Sequence, residues 1–211
     1  MLKGLTCTTF LDDAFPKRLM SRLKDFCPPL LYSSGNSILN QRRFVGYVGS
    51  RNITEQDIQW TEMCIAKNIP AGYGIVTGGA KGIDNVALTY AIEHGAFAVV
   101  FLPDNLSQKV REPFYQKNLL NGSLLLYSQV SPYAQKSRNS FVAAAMERNK
   151  YIYAQSNATV VVRSDLEKGG TWQGAKEALD KKWSTVFIWD NKKYPGNQKL
   201  LQYENANALS D

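Results

Sequence analysis

Two glycine-rich stretches carry the residue types best suited to chemistry: Val48-Gly49-Ser50-Arg51, and Thr77-Gly78-Gly79-Ala80-Lys81-Gly82-Ile83-Asp84. Glycine lets backbone N–H groups approach an anion, and a helix starting just beyond such a loop adds its dipole to the attraction. Gly49, Ser50 and Arg51 supply a tight turn, a hydroxyl and a guanidinium whose planar fork suits bidentate phosphate contact. Gly78, Gly79 and Gly82 leave space around the point charge of Lys81. Asp84 has two readings: a helix cap that satisfies free N–H groups, which is favoured, or a contact to a ribose hydroxyl or base edge. The second loop has neither the Gly-Lys-Ser/Thr spacing of a Walker loop nor a GxGxxG fingerprint, so a nicotinamide cofactor is not expected.

Two further constellations lie downstream. Arg148 and Asn149 sit within the helical stretch around Glu147-Arg148-Asn149-Lys150, either on a solvated face or aimed into a crevice. Gly169, Gly170 and Thr171 follow an apolar run and open another helix, with the threonine hydroxyl as its expected cap and the bared amides as an anion site. Trp172 then reads first as core and second as a surface on which a base stacks. Acid–base machinery is sparse. The sole histidine, His94, is expected to pack late on a helix, and no nucleophile–base pair forms around it. Cys7, Cys27 and Cys64 show no paired spacing, so neither a disulfide framework nor a zinc site is indicated, and the expected metals and cofactors are none.

Alternating strands and helices must position these groups. Apolar runs bounded by glycine or polar turns fall at Phe44 to Val48, Tyr73 to Thr77, Phe97 to Leu102, Ser123 to Tyr127, Ala158 to Val162 and Thr185 to Trp189. Between them, Thr54 caps a helix with Ile58, Thr61 and Ile65 on one face, and Ile83, Ala87, Ala91 and His94 line another that stops at Gly95. Ser140 to Ala154, Trp172 to Lys182 and, more weakly, Arg111 to Leu120 complete the set. The pattern predicts an α/β fold: a doubly wound, mostly parallel, extended Rossmann-like sheet whose ligand crevice lies at the carboxyl ends of the strands. Residues 1–43, with Phe15-Pro16 and Cys27-Pro28-Pro29, read as an N-terminal arm packing on a core formed by residues 44–211.

Composition sets the outer limits. The chain has 211 residues, 44% of them hydrophobic, enough to bury a proper core and to exclude general disorder. Its 25 Lys and Arg against 18 Asp and Glu give a net charge of +7 and a pI near 9.2, which suits a polyanionic partner. Lys17, Arg18, Arg22, Lys24, Arg42 and Arg43 of the arm either face such a partner or keep the surface wet. No apolar run approaches the roughly 18 residues of a membrane span, and the segment from Met1 to Thr6 has no signal-peptide core. A cytoplasmic location is expected.

Taken in order, these segments resemble the DprA/Smf family of DNA-processing proteins. The resemblance runs through Phe15-Pro16-Lys17-Arg18-Leu19, Pro28-Pro29-Leu30-Leu31-Tyr32 with Gly35-Asn36, Val48-Gly49-Ser50-Arg51, Gly78 to Asp84, Arg148-Asn149 with Ile152 and Ser156, and Gly169-Gly170-Thr171. It implies a non-enzymatic, Rossmann-like domain that binds single-stranded DNA and helps to load a RecA-type recombinase during natural transformation, with a homodimer as one expected state. In that family the Gly-Ser-Arg turn and nearby basic residues line the DNA pocket, which carries over to Arg51 and to Lys81, Lys109 and Arg111. Phe114, Tyr115 and Trp172 are then the candidate stacking rings. The chain departs from the family pattern at Thr77-Gly78-Gly79-Ala80, at Arg163 where a glutamate is usual, at Gly169-Gly170-Thr171, and at Ile188-Trp189-Asp190-Asn191. Accessory domains at either end are not expected. A second reading is a nucleotide phosphoribohydrolase of the LOG type, or a nucleotide sensor, because Gly169-Gly170-Thr171 with Glu177 partly follows that group's glycine-rich pattern.

Overall fold

The computed structural model describes residues 4–134 and 138–210. Three residues of the segment read for a targeting signal, 1–3, lie outside that range. Chain order is β1 (Thr6–Thr9), α1 (Lys17–Leu23), β2 (Leu30–Gly35), β3 (Phe44–Val48), α2 (Glu55–Asn68), β4 (Gly74–Thr77), α3 (Ile83–Glu93), β5 (Ala98–Phe101), α4 (Leu106–Lys109), α5 (Pro113–Leu120), β6 (Leu124–Ser128), α6 (Arg138–Gln155), β7 (Ala158–Val161), α7 (Gly169–Lys181), β8 (Thr185–Trp189), α8 (Pro195–Leu200) and β9 (Ala206–Leu209). Short 3-10 turns at Lys24–Phe26 and Ser37–Gln41 flank β2.

All nine strands join one sheet in the order β1-β2-β6-β5-β4-β3-β7-β8-β9. The seven strands from β6 to β9 along the sheet are parallel, whereas β2 runs antiparallel to both β6 and β1. Strands β3 to β6 step outward in one direction. Helix α6 then carries the chain back, so that β7 lies beside β3 in the register Val45↔Ala158 to Val48↔Val161. The strand order reverses at that pair, and the loops leaving β3 and β7 border a crevice at the carboxyl ends of the strands.

Why these runs become central strands is visible in their burial. Every residue of β3, β4, β5 and β6 is buried, as a parallel sheet covered on both faces requires. Alternate side chains feed two cores. Phe44, Val48, Val76, Phe101 and Val161 meet α1, α6 and α7 on one face; Val45, Tyr47, Ile75, Val100 and Val162 meet α2, α3 and α5 on the other. The N-terminal residues contribute to both sheet and core: β1 and β2 extend the sheet, while Phe15, Leu19, Leu23 and Leu31 are almost wholly buried.

Helix starts follow local chemistry. Thr54 and Asp57 form a reciprocal capping box at α2, each side chain accepting from the other residue's backbone N–H. His94 does not pack in the core. It is the exposed C-cap of α3, stacked on Tyr90 at 3.9 Å with its Nδ1 2.8 Å from the Tyr90 carbonyl oxygen. The helix ends there, one residue before Gly95, which leaves the ring at the rim instead of on the buried stripe.

Candidate functional site

The turn after β3 is built from three backbone constraints. Ser50 N–H donates to the Arg163 carbonyl at 2.9 Å, tying this turn to the loop after β7, and Ser50 carbonyl accepts from Ile83 N–H at 3.3 Å, tying it to α3. The Ser50 hydroxyl accepts from Asn52 N–H at 3.1 Å and so stabilises the turn itself. Gly82, the N-cap of α3, has φ +82°, and a Cβ there would lie 2.2 Å from the Ser50 carbonyl oxygen. No larger residue lets these two loops close.

Asp84 works differently from the helix cap favoured by the sequence. It lies in the first turn of α3, and its buried carboxylate turns back to accept from Gly78 N–H at 3.1 Å and Ala80 N–H at 3.4 Å. It thereby shapes the glycine loop after β4. The guanidinium of Arg148, from α6, stands 3.7 Å from the same carboxylate. It also lies directly over Gly78, where an added Cβ would be 1.3 Å from Nη1. Both members are buried. Burial pushes the Asp84 carboxyl up from its ordinary value, against the opposing pull of Arg148. Burial likewise lowers the pKa of Arg148, and the like charge of Arg51 adds to that effect. The Arg148 Nε has no hydrogen-bond partner among the described residues.

These loops surround two adjoining cavities. The larger, about 660 Å³, receives Gly49, Ser50 and Arg51 from the β3 side and Gly169, Gly170 and Thr171 from the start of α7, with Asp84, Arg148 and Asn149 between them. The smaller, about 330 Å³, is lined by Gly78, Gly79, Lys81 and Lys109, and it shares Arg51, Arg148 and Phe141 with the larger one. Gly82 and Arg111 line neither cavity, and Arg111 is exposed.

Several groups are already engaged. Lys109 pairs with Glu112 at 2.8 Å and lies 4.7 Å from the centre of the Tyr115 ring. Asn149 donates through Nδ2 to the Gly170 carbonyl at 3.1 Å, stitching α6 to the opening of α7. Lys168, not Thr171, is the N-cap of that helix, and it caps without a side-chain bond. Thr171 sits inside the first turn because the helix begins two residues earlier, at Gly169. Lys81 is exposed and makes no ion pair among the described residues.

The rings singled out for stacking are largely committed to packing. Trp172 and Tyr115 are buried in the two cores, and Phe114 packs edge-on against Tyr115. The apolar surface that does face the larger cavity comes from α6: Phe141 is 42% exposed and Met146 45%, with Val142 beside them. The sequence carries no signal for this, because Phe141 reads there as one more apolar residue of a helical stretch.

Arg163, noted in the sequence only as a departure, also lines the larger cavity. Its Nη1 donates to Asp57 Oδ2 at 3.2 Å, and its guanidinium lies 4.9 Å from the centre of the Tyr194 ring. Burial raises the Asp57 pKa, but hydrogen bonds from Tyr194, Thr54 and Arg163 outweigh burial and hold that carboxyl below its ordinary value. With Arg51, Arg148, Arg163 and Lys168 facing Asp84 and Asp165, the cavity has an excess of cations at the N-terminus of a 13-residue helix. Such an arrangement is electrostatically suited to an anion. Among the described residues no group of three His, Cys, Asp or Glu gathers where a metal ion would sit, and no helix is long and apolar enough to cross a membrane.

Comparison with known proteins places this architecture. A family model described as DNA recombination-mediator protein A matches residues 6–211. Over 167 residues the chain is 28% identical to the DNA processing protein DprA of Streptococcus pneumoniae, covering 76% of this chain and 55% of that protein. The chain thus spans little more than half the length of that curated relative. The X-ray structure of the S. pneumoniae protein superposes with a TM-score of 0.81 at 26% identity, covering 99% of this chain and 72% of the other. A Helicobacter pylori DNA processing protein A, whose structure is described by its single-stranded DNA binding mode, gives 0.74 at 23% identity over 97% of this chain and 90% of that one. More distantly, the molybdenum cofactor carrier protein of Chlamydomonas reinhardtii shares the fold, with a TM-score of 0.53 at 16% identity over 81% of this chain and 90% of that one. The ordered glycine loops, the switch point between β3 and β7 and the match across residues 6–211 lead to one assignment: the chain belongs to the DNA recombination-mediator protein A family.

Proposed function

We propose that this chain binds single-stranded DNA in the crevice between the β3 and β7 loops and acts without catalysing a reaction. The observation that carries the reading is convergence: Arg51 and Arg148 are shared by two adjoining cavities, and the helix start at Gly169 and Gly170 opens onto the larger. Phosphates of a flexible strand supply the anions, and Phe141 and Met146 offer apolar surface to bases that a duplex would keep stacked internally. The S. pneumoniae relative and the single-stranded DNA mode described for the H. pylori protein support the same reading. Gly49, Ser50, Arg51, Gly78, Gly79, Lys81 and Asp84 form the first part of the proposed interface. Lys109, Arg148, Asn149, Gly169, Gly170 and Thr171 form the second, while Gly82 shapes it and Arg111 extends it at the surface. Recombinase loading, and a homodimer as the acting species, are further parts of the proposal.

The nucleotide-hydrolase alternative needs a carboxylate at the bound nucleotide. Glu177 is exposed and lines neither cavity, which speaks against that role. A thermal-shift comparison of an oligo-dT strand, its duplex and single mononucleotides tests the choice, because a ligand that binds only the folded state raises the melting temperature. The single strand should give the largest shift. A larger shift with a mononucleotide, accompanied by release of free base, would instead favour the hydrolase.

A further inference from the structure

Arg163 occupies the β7 side of the switch point, bonded through its backbone to the turn that carries Arg51, and the contacts around it fix its position. Its carbonyl accepts from Ser50 N–H at 2.9 Å. The next backbone amide, Ser164 N–H, donates to Asn197 Oδ1 at 2.8 Å, and the Asn197 amide in turn donates to the Val162 and Trp189 carbonyls at 2.9 Å each. The peptide carrying Arg163 is therefore clamped between the β3 turn and the fully buried side chain of Asn197.

The side chain is fixed as firmly. Asp57 is completely buried, whereas a quarter of the Arg163 side chain stays exposed, on the wall of the larger cavity. Asp57 does not depend on Arg163 alone: its carboxylate also accepts from Tyr194 Oη at 2.5 Å, Thr54 N–H at 2.7 Å and Thr54 Oγ1 at 2.9 Å. The Arg163 side chain gives it one N–H of five and makes no other hydrogen bond among the described residues. The other four guanidinium N–H donors have no acceptor among the described residues and are held on a rigid mount.

We propose that Arg163 is a phosphate-binding residue, forming with the start of α7 a second cationic subsite of the same crevice, on the β7 loop that is bonded to the Arg51 turn. The proposal rests on the single-stranded DNA reading above and adds to it a residue that answers a backbone phosphodiester. Asp57 and Tyr194 are its positioning residues. Asp165 and Lys168 line the same cavity and offset one another in charge, which leaves the partly exposed Arg163 guanidinium and the start of α7 as the groups that answer a phosphate.

Binding of a fluorescein-labelled oligo-dT to the full chain, measured across a salt series, tests this directly. Each phosphate contact on a single strand contributes about 0.7 to the slope of log affinity against log salt. Arg163→Gln should flatten the slope by about that amount and weaken binding roughly tenfold at low salt, the size of a lost charge-assisted hydrogen bond. Arg163→Lys should keep the slope and lose part of the affinity, because the charge remains and the fork does not. The double variant Asp57→Asn/Arg163→Gln removes the pair together, so no buried carboxylate is left alone, and it should reproduce the flattened slope. If the parent binds with a steep slope and both glutamine variants retain it, Arg163 is only a structural counter-ion and the proposal fails. A parent that binds no single strand at any salt overturns the DNA reading itself.

Discussion

Arg148 shows how burial fixes a charge in place. Its guanidinium occupies the space that a side chain at Gly78 would fill, and it faces Asp84 at 3.7 Å, beyond hydrogen-bonding range. Removing one member of a buried pair leaves the other without compensation, so Arg148→Met should destabilise the chain by about 3–5 kcal/mol in chemical denaturation. Adding Asp84→Asn should cost less than the sum of the two single losses; a double variant whose loss equals that sum would show that the two charges are uncoupled. Gly78→Ala should act from the opposite side of the same contact. Its Cβ displaces the guanidinium, with a cost of about 1–3 kcal/mol in unfolding free energy and a marked loss of oligonucleotide affinity. Unchanged binding by this variant would remove Arg148 from the proposed interface.

Elements differ in how openly the sequence displays them. The runs that became β3 to β8 are legible because strands covered on both faces need nearly uninterrupted apolar residues, and Phe44-Val45-Gly46-Tyr47-Val48 is one. Strands β1 and β9 are edges, short and half exposed, and Thr6–Thr9 and Ala206–Leu209 carry no alternation to reveal them. β2 was hidden in the arm, where Pro28-Pro29 draws attention away from the strand that follows. The glycine turns and their helices were legible from local chemistry, as the Thr54 capping box illustrates. Contacts between distant positions were not: Arg163 and Asp57 are 106 residues apart, and nothing in the spacing of either announces the other. Nor does sequence reveal that Asp84 turns back to the Gly78 loop, or that Tyr115 turns inward while Phe141 stays at the cavity. The loop after β7 depends on α8 through Asn197, whose amide serves three backbone groups. Asn197→Ala should therefore destabilise the fold by about 2 kcal/mol or more and weaken oligonucleotide binding indirectly, whereas a change under about 0.5 kcal/mol would mean that α8 does not hold the crevice.

At the scale of the whole molecule, charge and pH act together. Asp57 has a folded pKa below its ordinary value, so the stability it contributes is present above the unfolded carboxyl pKa and is lost as pH falls through the folded one. Asp84, raised by burial, has the opposite sign: its contribution is present below the unfolded pKa and lost as pH rises through the folded value. The Asp57 contribution should make melting temperature decline in acid, and Asp57→Asn should flatten that decline while lowering the melting temperature at neutral pH. An unaltered acid limb in this variant would show that Asp57 does not govern it. The net charge of +7 strengthens encounter with any polyanion, and under the proposed function the crevice is what selects a single phosphodiester strand. The decisive measurement is the affinity of the parent and of Arg51→Ala for an oligo-dT strand and its duplex across a salt series. The crevice predicts tight, steeply salt-dependent binding of the single strand, weaker binding of the duplex, and a smaller slope with lower affinity in Arg51→Ala. Equal, salt-insensitive behaviour of both proteins toward both DNAs would contradict it.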